Sequence, residues 1–128
     1  MRALLDTHAF LWWVTDDPRL SEAAREFISD GQNELLFSAA SGWEIAIKAH
    51  LGKVHLPENP ERFLTDQLHR NDIEALSVRL GHALGVYGLP SHHRDPFDRL
   101  LVAQCAVERV PLLSADAVFE RYPVEVIW

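Results

Sequence analysis

Arg2-Ala-Leu-Leu-Asp6-Thr-His-Ala-Phe-Leu-Trp-Trp-Val14 opens the chain. Its apolar run of strand length ends on a carboxylate, and a second apolar run of helical length follows. Arg2–Asp6 reads as a buried strand and His8–Val14 as a short helix closed by the Asp16-Asp17-Pro18 turn. The same alternation recurs outward. Ser21 is a plausible cap for a helix carrying Ala24, Phe27 and Ile28, stopped at Gly31. Glu34–Ser38 reads as a second strand, and Ser41–Lys53 as a helix with Trp43, Ile47 and Leu51 four apart. Pro57 and Pro60 break the chain before a helix at Glu61–Arg70. Ile73–Leu76 reads as a third strand and Val78–Val86 as a helix. Gly88–Pro96 reads as a loop, and Phe97–Arg109 as an amphipathic helix on Phe97, Leu101 and Cys105. Pro111–Leu113 and Val124–Ile127 are expected as closing strands around a short helix, Ala117–Tyr122. Strands alternating with helices predict an α/β fold, a three-layer α/β/α sandwich with a central, mostly parallel sheet. Ligands of such sheets bind beyond the carboxyl ends of the strands.

The 128 residues suit one domain over 1–128, without repeats or linkers. Apolar residues make up 48% and charged residues 24%, which excludes a disordered or collagen-like chain. The single cysteine, Cys105, cannot form an intrachain disulfide, and its apolar surroundings predict a buried thiol. Asp6 interrupts the first apolar run, and Ala9–Val14 is far too short to span a membrane. No signal peptide, no membrane and a cytoplasmic location are therefore expected. A net charge of −7 excludes a binder that holds nucleic acid by bulk positive charge. It leaves room for an acidic site that takes cations, and for a basic partner.

Four acids fall at element boundaries that a parallel sheet brings to one edge: Asp6, Glu44, Asp98 and Asp116. Each admits a purely structural reading. Ser41-x-x-Glu44 matches a capping box, and Glu44 with Lys48 an i,i+4 ion pair. Asp95 suits an N-cap before Pro96, and Asp98 the positive end of a helix. Ser114 or Asp116 would cap the short helix that follows. Asp6 has the weakest structural explanation. Together the four read differently, because two like charges about 4 Å apart repel by about 4 kcal/mol at an effective dielectric near 20. Such a cluster must take up protons or hold cations. Hard oxygen ligands select Mg²⁺ or Mn²⁺, which suit phosphodiester chemistry.

Leu4-Leu-Asp6-Thr-His-Ala-Phe-Leu-Trp12, Ser38-Ala-Ala-Ser-Gly-Trp-Glu44-Ile-Ala-Ile-Lys48, His93-Arg-Asp-Pro-Phe-Asp98-Arg-Leu-Leu101 and Leu113-Ser-Ala-Asp116 resemble the successive motifs of PIN-domain nucleases, above all VapC-type toxins. The resemblance runs from the first strand to Val126-Ile-Trp128. It implies a metal-dependent endoribonuclease leaving 5′-phosphate and 3′-hydroxyl ends, silenced by a cognate antitoxin and paired as a homodimer. It also implies that Asp6, Glu44, Asp98 and Asp116 hold one or two Mg²⁺ or Mn²⁺ ions, with Asp95 and Ser114 in support. Lys48, Arg94 and Arg99 are candidates for contact with RNA phosphates, with a structural role the alternative for Lys48 and Arg99. Gly42 departs from relatives with a larger side chain there, at some cost in helix stability.

Other readings compete. A haloacid-dehalogenase-type phosphohydrolase would use Asp6 as a nucleophile, but wants a second Asp two residues on, where His8 stands. A non-catalytic RNA- or partner-binding module has no need of four clustered acids. His92 and His93 lack a convincing zinc-ligand spacing, and His93 or Arg94 better suits phosphate contact. Trp12, Trp13 and Trp43 could stack bases or an antitoxin segment, although apolar helices usually place such residues in a core or dimer interface.

Overall fold

In a computed structural model describing residues 1–128, the strands Arg2–Leu5 (β1), Glu34–Ser38 (β2), Ile73–Leu76 (β3), Leu112–Leu113 (β4) and Val126–Ile127 (β5) form one sheet. Its order is β3-β2-β1-β4-β5, and every neighbouring pair is parallel. Successive residues of a strand face opposite sides of a sheet. Leu4 and Leu36 accordingly enter one core while Leu5 and Phe37 enter the other. The helices are Thr7–Val14 (α1), Glu22–Ser29 (α2), Ala39–His50 (α3), Pro60–Arg70 (α4), Leu80–Gly85 (α5) and Pro96–Glu108 (α6). Phe10 of α1, Ala24 and Ile28 of α2 and Ile45 of α3 cover the Leu5 face, with Leu64 and Leu68 of α4 against them. Leu101, Val102 and Cys105 of α6 cover the Leu4 face with Phe119 and Tyr122. This is the expected three-layer sandwich, with a sheet that is wholly parallel. Burying a leucine such as Leu4 or Leu5 stabilises it by about 2 kcal/mol. Burial also pushes the Cys105 thiol up to about 12, so it is an inert core residue.

The chain leaves β1 toward β2 on one side and returns as β4 on the other, so strand order switches between β1 and β4. A crevice opens at the carboxyl ends of such strands. The Asp6 N–H donates to the Leu113 carbonyl at 3.0 Å, locking the two strand ends together there.

Several element boundaries differ from the sequence reading. The α3 helix begins at Ala39 because Ser38, not Ser41, caps it, its Oγ accepting the Ala40 N–H at 3.0 Å. Its apolar stripe Trp43, Ile47 and Leu51 is exposed, whereas Ala40, Ser41, Glu44 and Ile45 face inward. The helix expected at Val78–Val86 is shorter and passes into a 3₁₀ turn, Val86–Gly88. The closing strands contract to two residues each, and a 3₁₀ helix, Ala117–Arg121, lies between them. A side chain at Gly42 would meet only ordinary contacts, its nearest neighbour Phe37 at 3.7 Å, so space does not demand glycine. No helix is long and apolar enough to cross a membrane.

Candidate active site

Asp6 stands at the end of β1, on the switch point, and is buried. Its Oδ1 accepts the Ala9 N–H at 2.7 Å, so it caps α1. The cap that the sequence left unassigned is thus Asp6 itself, made possible because α1 starts at once after the strand. Its Oδ2 accepts the hydroxyl of Ser114, at the end of β4. Burial raises its proton affinity, and the charge of Asp116 adds to the rise; Ser114, Ala9 and His8 only partly oppose it. Ser114 Oγ also accepts the Asp116 N–H at 3.1 Å. Asp116 itself is exposed and caps the 3₁₀ helix through Val118 N–H at 3.0 Å. Ser114 therefore joins the Asp6 carboxylate to the Asp116 backbone across the switch point.

Glu44 projects inward from the second turn of α3 and is 5% exposed. The capping box expected between Ser41 and Glu44 is absent. Thr7, beside Asp6, donates to Glu44 Oε1 at 2.7 Å and lies 2.9 Å from Ser41 Oγ. Lys48 donates to Glu44 Oε2 at 2.6 Å, the i,i+4 pair anticipated from spacing. Thr7 and Ser41 were overlooked as site residues. Their signal was only adjacency to Asp6 and Glu44, since the contact between them spans 34 residues of sequence.

Asp98 lies in the first turn of α6, where the Asp95 carboxylate accepts its N–H at 3.0 Å and caps the helix ahead of Pro96 as expected. Burial first, then the charges of Asp95 and Glu44, raise the Asp98 carboxyl to about 6, against a lowering pull from His93. His93 Nε2 is 3.2 Å from Asp98 Oδ2, so the histidine expected to contact phosphate is instead bound to an acid. Arg99 turns inward, its Nη1 donating to the Pro90 carbonyl at 2.8 Å and to the Tyr122 hydroxyl at 3.1 Å. Arg94 is exposed. Trp43 is 63% exposed and meets Phe97 edge-on at 5.4 Å, between the Glu44 and Asp98 helices. Trp12 and Trp13 are half-buried, the latter donating to Asn71 at 2.9 Å.

The four acids thus share the carboxyl edge of the sheet and feel one another's charge in two linked pairs, Asp6 with Asp116 and Asp98 with Glu44. As their side chains are turned, onto Ser114, Lys48, His93 and the Val118 N–H, no three converge as a ready metal-binding group. The donor set, all carboxylate and hydroxyl oxygen on mutually repelling acids, fits a hard divalent cation in chemistry.

The PIN domain family model matches residues 3–125. The chain belongs to the PIN domain family. Among similar proteins of Mycobacterium tuberculosis, Ribonuclease VapC22 is 31% identical over 114 residues, covering 88% of this chain and 85% of that protein. Ribonuclease VapC16 is 41% identical over 69 residues, a stretch spanning 51% of this chain and about half, 49%, of the relative. The PIN fold also superposes on solved structures. A chain of VapBC2 from Rickettsia felis, bound to a promoter DNA fragment, matches at TM-score 0.71 and 15% identity, over 98% of this chain and 97% of that one. A chain of VapBC-1 from nontypeable Haemophilus influenzae matches at TM-score 0.62 and 16% identity, over 94% and 92%. In this PIN domain Asp6 lacks a second acid two residues on, since His8 is there, and family membership sets aside the phosphohydrolase reading.

Proposed function

We propose that this PIN domain is a divalent-metal-dependent endoribonuclease and the toxin of a toxin–antitoxin pair. The observation that carries the proposal is the buried Asp6 at the strand-order switch, bound to Ser114 and facing the charge of Asp116. Capping α1 engages only Oδ1 of this carboxylate, and an uncharged cap would serve without the desolvation and the repulsion from Asp116. Asp6, Glu44, Asp98 and Asp116 would hold Mg²⁺ or Mn²⁺, which supplies an activated water and offsets charge developing on phosphorus. Ser114 and Asp95 orient this set, Ser114 through Asp6 and Asp95 through the start of α6. Thr7 and Lys48 each hold one oxygen of Glu44 and so fix the orientation of its carboxylate. Arg94 is free to meet a backbone phosphate, as is Lys48 once released from Glu44. Arg99 braces the loop and is assigned to structure.

RNA is proposed as the substrate because relatives of this chain bear the name ribonuclease, VapC22 over most of its length. The antitoxin is proposed on the neighbouring VapBC assemblies together with a groove of about 470 Å³ in which Leu11, Trp12, Leu56 and Phe63 stand beside polar residues such as Asp17 and Arg19. An apolar partner segment would seat there, and a basic one would enter the acidic edge. The exposed stripe Trp43, Ile47 and Leu51 suits a homodimer contact.

Purified protein should cleave single-stranded RNA with Mn²⁺ and not with EDTA. Asp98→Asn should remain folded and lose more than the roughly 10–100-fold that an outer partner of a metal ligand costs. Expression alone should slow growth, relieved by Asp6→Asn and by co-expression with a neighbouring antitoxin gene. Folded Asp98→Asn that cleaves at the wild-type rate would remove Asp98 from the site. Wild-type protein as harmless as Asp6→Asn would overturn the toxin assignment.

A further inference from the structure

Three side chains, those of Arg99, Tyr122 and His93, run in a hydrogen-bonded line into Asp98. Arg99 Nη1 lies 3.1 Å from the Tyr122 hydroxyl, Tyr122 lies 2.6 Å from His93 Nδ1, and His93 Nε2 lies 3.2 Å from Asp98 Oδ2. A guanidinium only donates, so the Tyr122 oxygen accepts from Arg99. The one hydroxyl proton of Tyr122 then goes to His93 Nδ1, its short neighbour. With Nδ1 accepting, the ring proton sits on Nε2 and points at Asp98. Tyr122 is 4% exposed and wedged by the edges of both His92 and His93, at 5.0 and 5.5 Å between ring centroids. Arg99 is tied besides to the Pro90 carbonyl at 2.8 Å. The line therefore connects the loop before α6, the end of the 3₁₀ helix after Asp116, and Asp98.

We propose that His93, locked in its Nε2–H tautomer by Tyr122 and Arg99, is a positioning residue that aims the Asp98 carboxylate for the reaction. The proposal rests on the nuclease reading above. Carboxylates that ligate metals are held by outer hydrogen bonds of this kind, and losing one costs about 10–100-fold in affinity or activity. Nothing about the charge of the protein as a whole is needed; the device is one of orientation.

The test uses Tyr122→Phe, which keeps the buried ring and removes only the hydroxyl, and His93→Gln, whose amide N–H can still reach Asp98. In metal-free wild type, nitrogen NMR of the His93 ring, assigned by its loss in His93→Gln, should show a bare Nδ1 and a protonated Nε2. In Tyr122→Phe that signature should change while the fold stays intact. With Mn²⁺ and an RNA oligonucleotide, Tyr122→Phe should lose about tenfold in kcat with KM within about twofold. His93→Gln should retain several times the kcat of His93→Ala. A protonated Nδ1 in wild type, whether in the other tautomer or in a doubly protonated ring, overturns the lock. Wild type that cleaves RNA while Tyr122→Phe keeps its full kcat overturns the positioning role alone. Wild type that cleaves no RNA overturns the nuclease reading and this role with it, whatever the ring shows.

Discussion

Asp98 concentrates the conflict between folding and chemistry in one side chain. It is half-buried, it faces Asp95 and Glu44, and its carboxyl rises to about 6 from an ordinary 3.8. A carboxyl raised by folding favours the protonated form. Its stabilising contribution is therefore complete below about pH 4 and is lost as pH climbs through about 6. Asp98→Asn stays neutral throughout, so in EDTA its stability should gain on the wild type across that window and level off above it. After discounting for partial exposure the gain should be about 1 kcal/mol, or about 4 °C in Tm. Thermal melts of both proteins between about pH 4 and 7 measure it. A constant difference across that range would mean that ionisation of Asp98 costs the fold nothing. The spacing of Asp95-Pro-Phe-Asp98 revealed the cap and the acid, but not the His93–Tyr122 line behind it. Tyr122 lies 23 residues from Arg99 and 29 from His93, and no local pattern links them.

Among the elements, α6 was legible at both ends, within one residue, but not in the backbone strain at its close. Asp95 and Pro96 stand in the cap and first helical positions, where their preferences are local. Its last turn closes on Arg109 in the left-handed region at φ 57°, a conformation that costs a residue with a Cβ about 1 kcal/mol or more and is usually met by glycine. Arg109 is exposed. Arg109→Gly should therefore stabilise the protein by about 0.5–1 kcal/mol, the relief of strain exceeding the added freedom of the unfolded chain. Chemical denaturation of the two proteins checks this, and a loss of stability would mean that the arginine side chain contributes more than its backbone strains. The α3 helix left its buried face open. Its apolar stripe of Trp43, Ile47 and Leu51 suits either a core or a dimer interface, and in the fold that stripe is exposed while the face bearing Ser41 and Glu44 turns inward. Thr7 and Lys48 satisfy Glu44 at that depth, so burying a carboxylate there is tolerable.

At the scale of the molecule, a chain of net charge −7 brings four acids to one edge of its sheet. A bound divalent cation relieves that repulsion only in the folded state, so it should stabilise the protein by linkage. At a free Mn²⁺ concentration of about 100 Kd the gain is about 2.7 kcal/mol. Tm should rise with Mn²⁺ in the wild type and rise distinctly less in Asp6→Asn. Equal shifts in both, or none in the wild type, would remove Asp6 from a metal site. The topology makes the edge possible, because β1 lies between β2 and β4 and its carboxyl end is the switch point.

The sequence by itself determined the alternation of strands and helices, hence the parallel three-layer fold, and the four acids at element ends. Those features rest on hydrophobic periodicity and on capping chemistry, which act over a few residues. Tertiary structure alone decided which face of α3 is buried and how short the closing strands are. It also decided that Ser114 meets Asp6 across 108 residues of chain, that Thr7 holds Glu44, and that His93 serves Asp98 instead of solvent. The Ser114 and Thr7 contacts join residues remote in sequence, and His93, only five residues from Asp98, is held by Tyr122, 29 residues away. Their energies depend on burial and on partners that exist only once the sheet has closed.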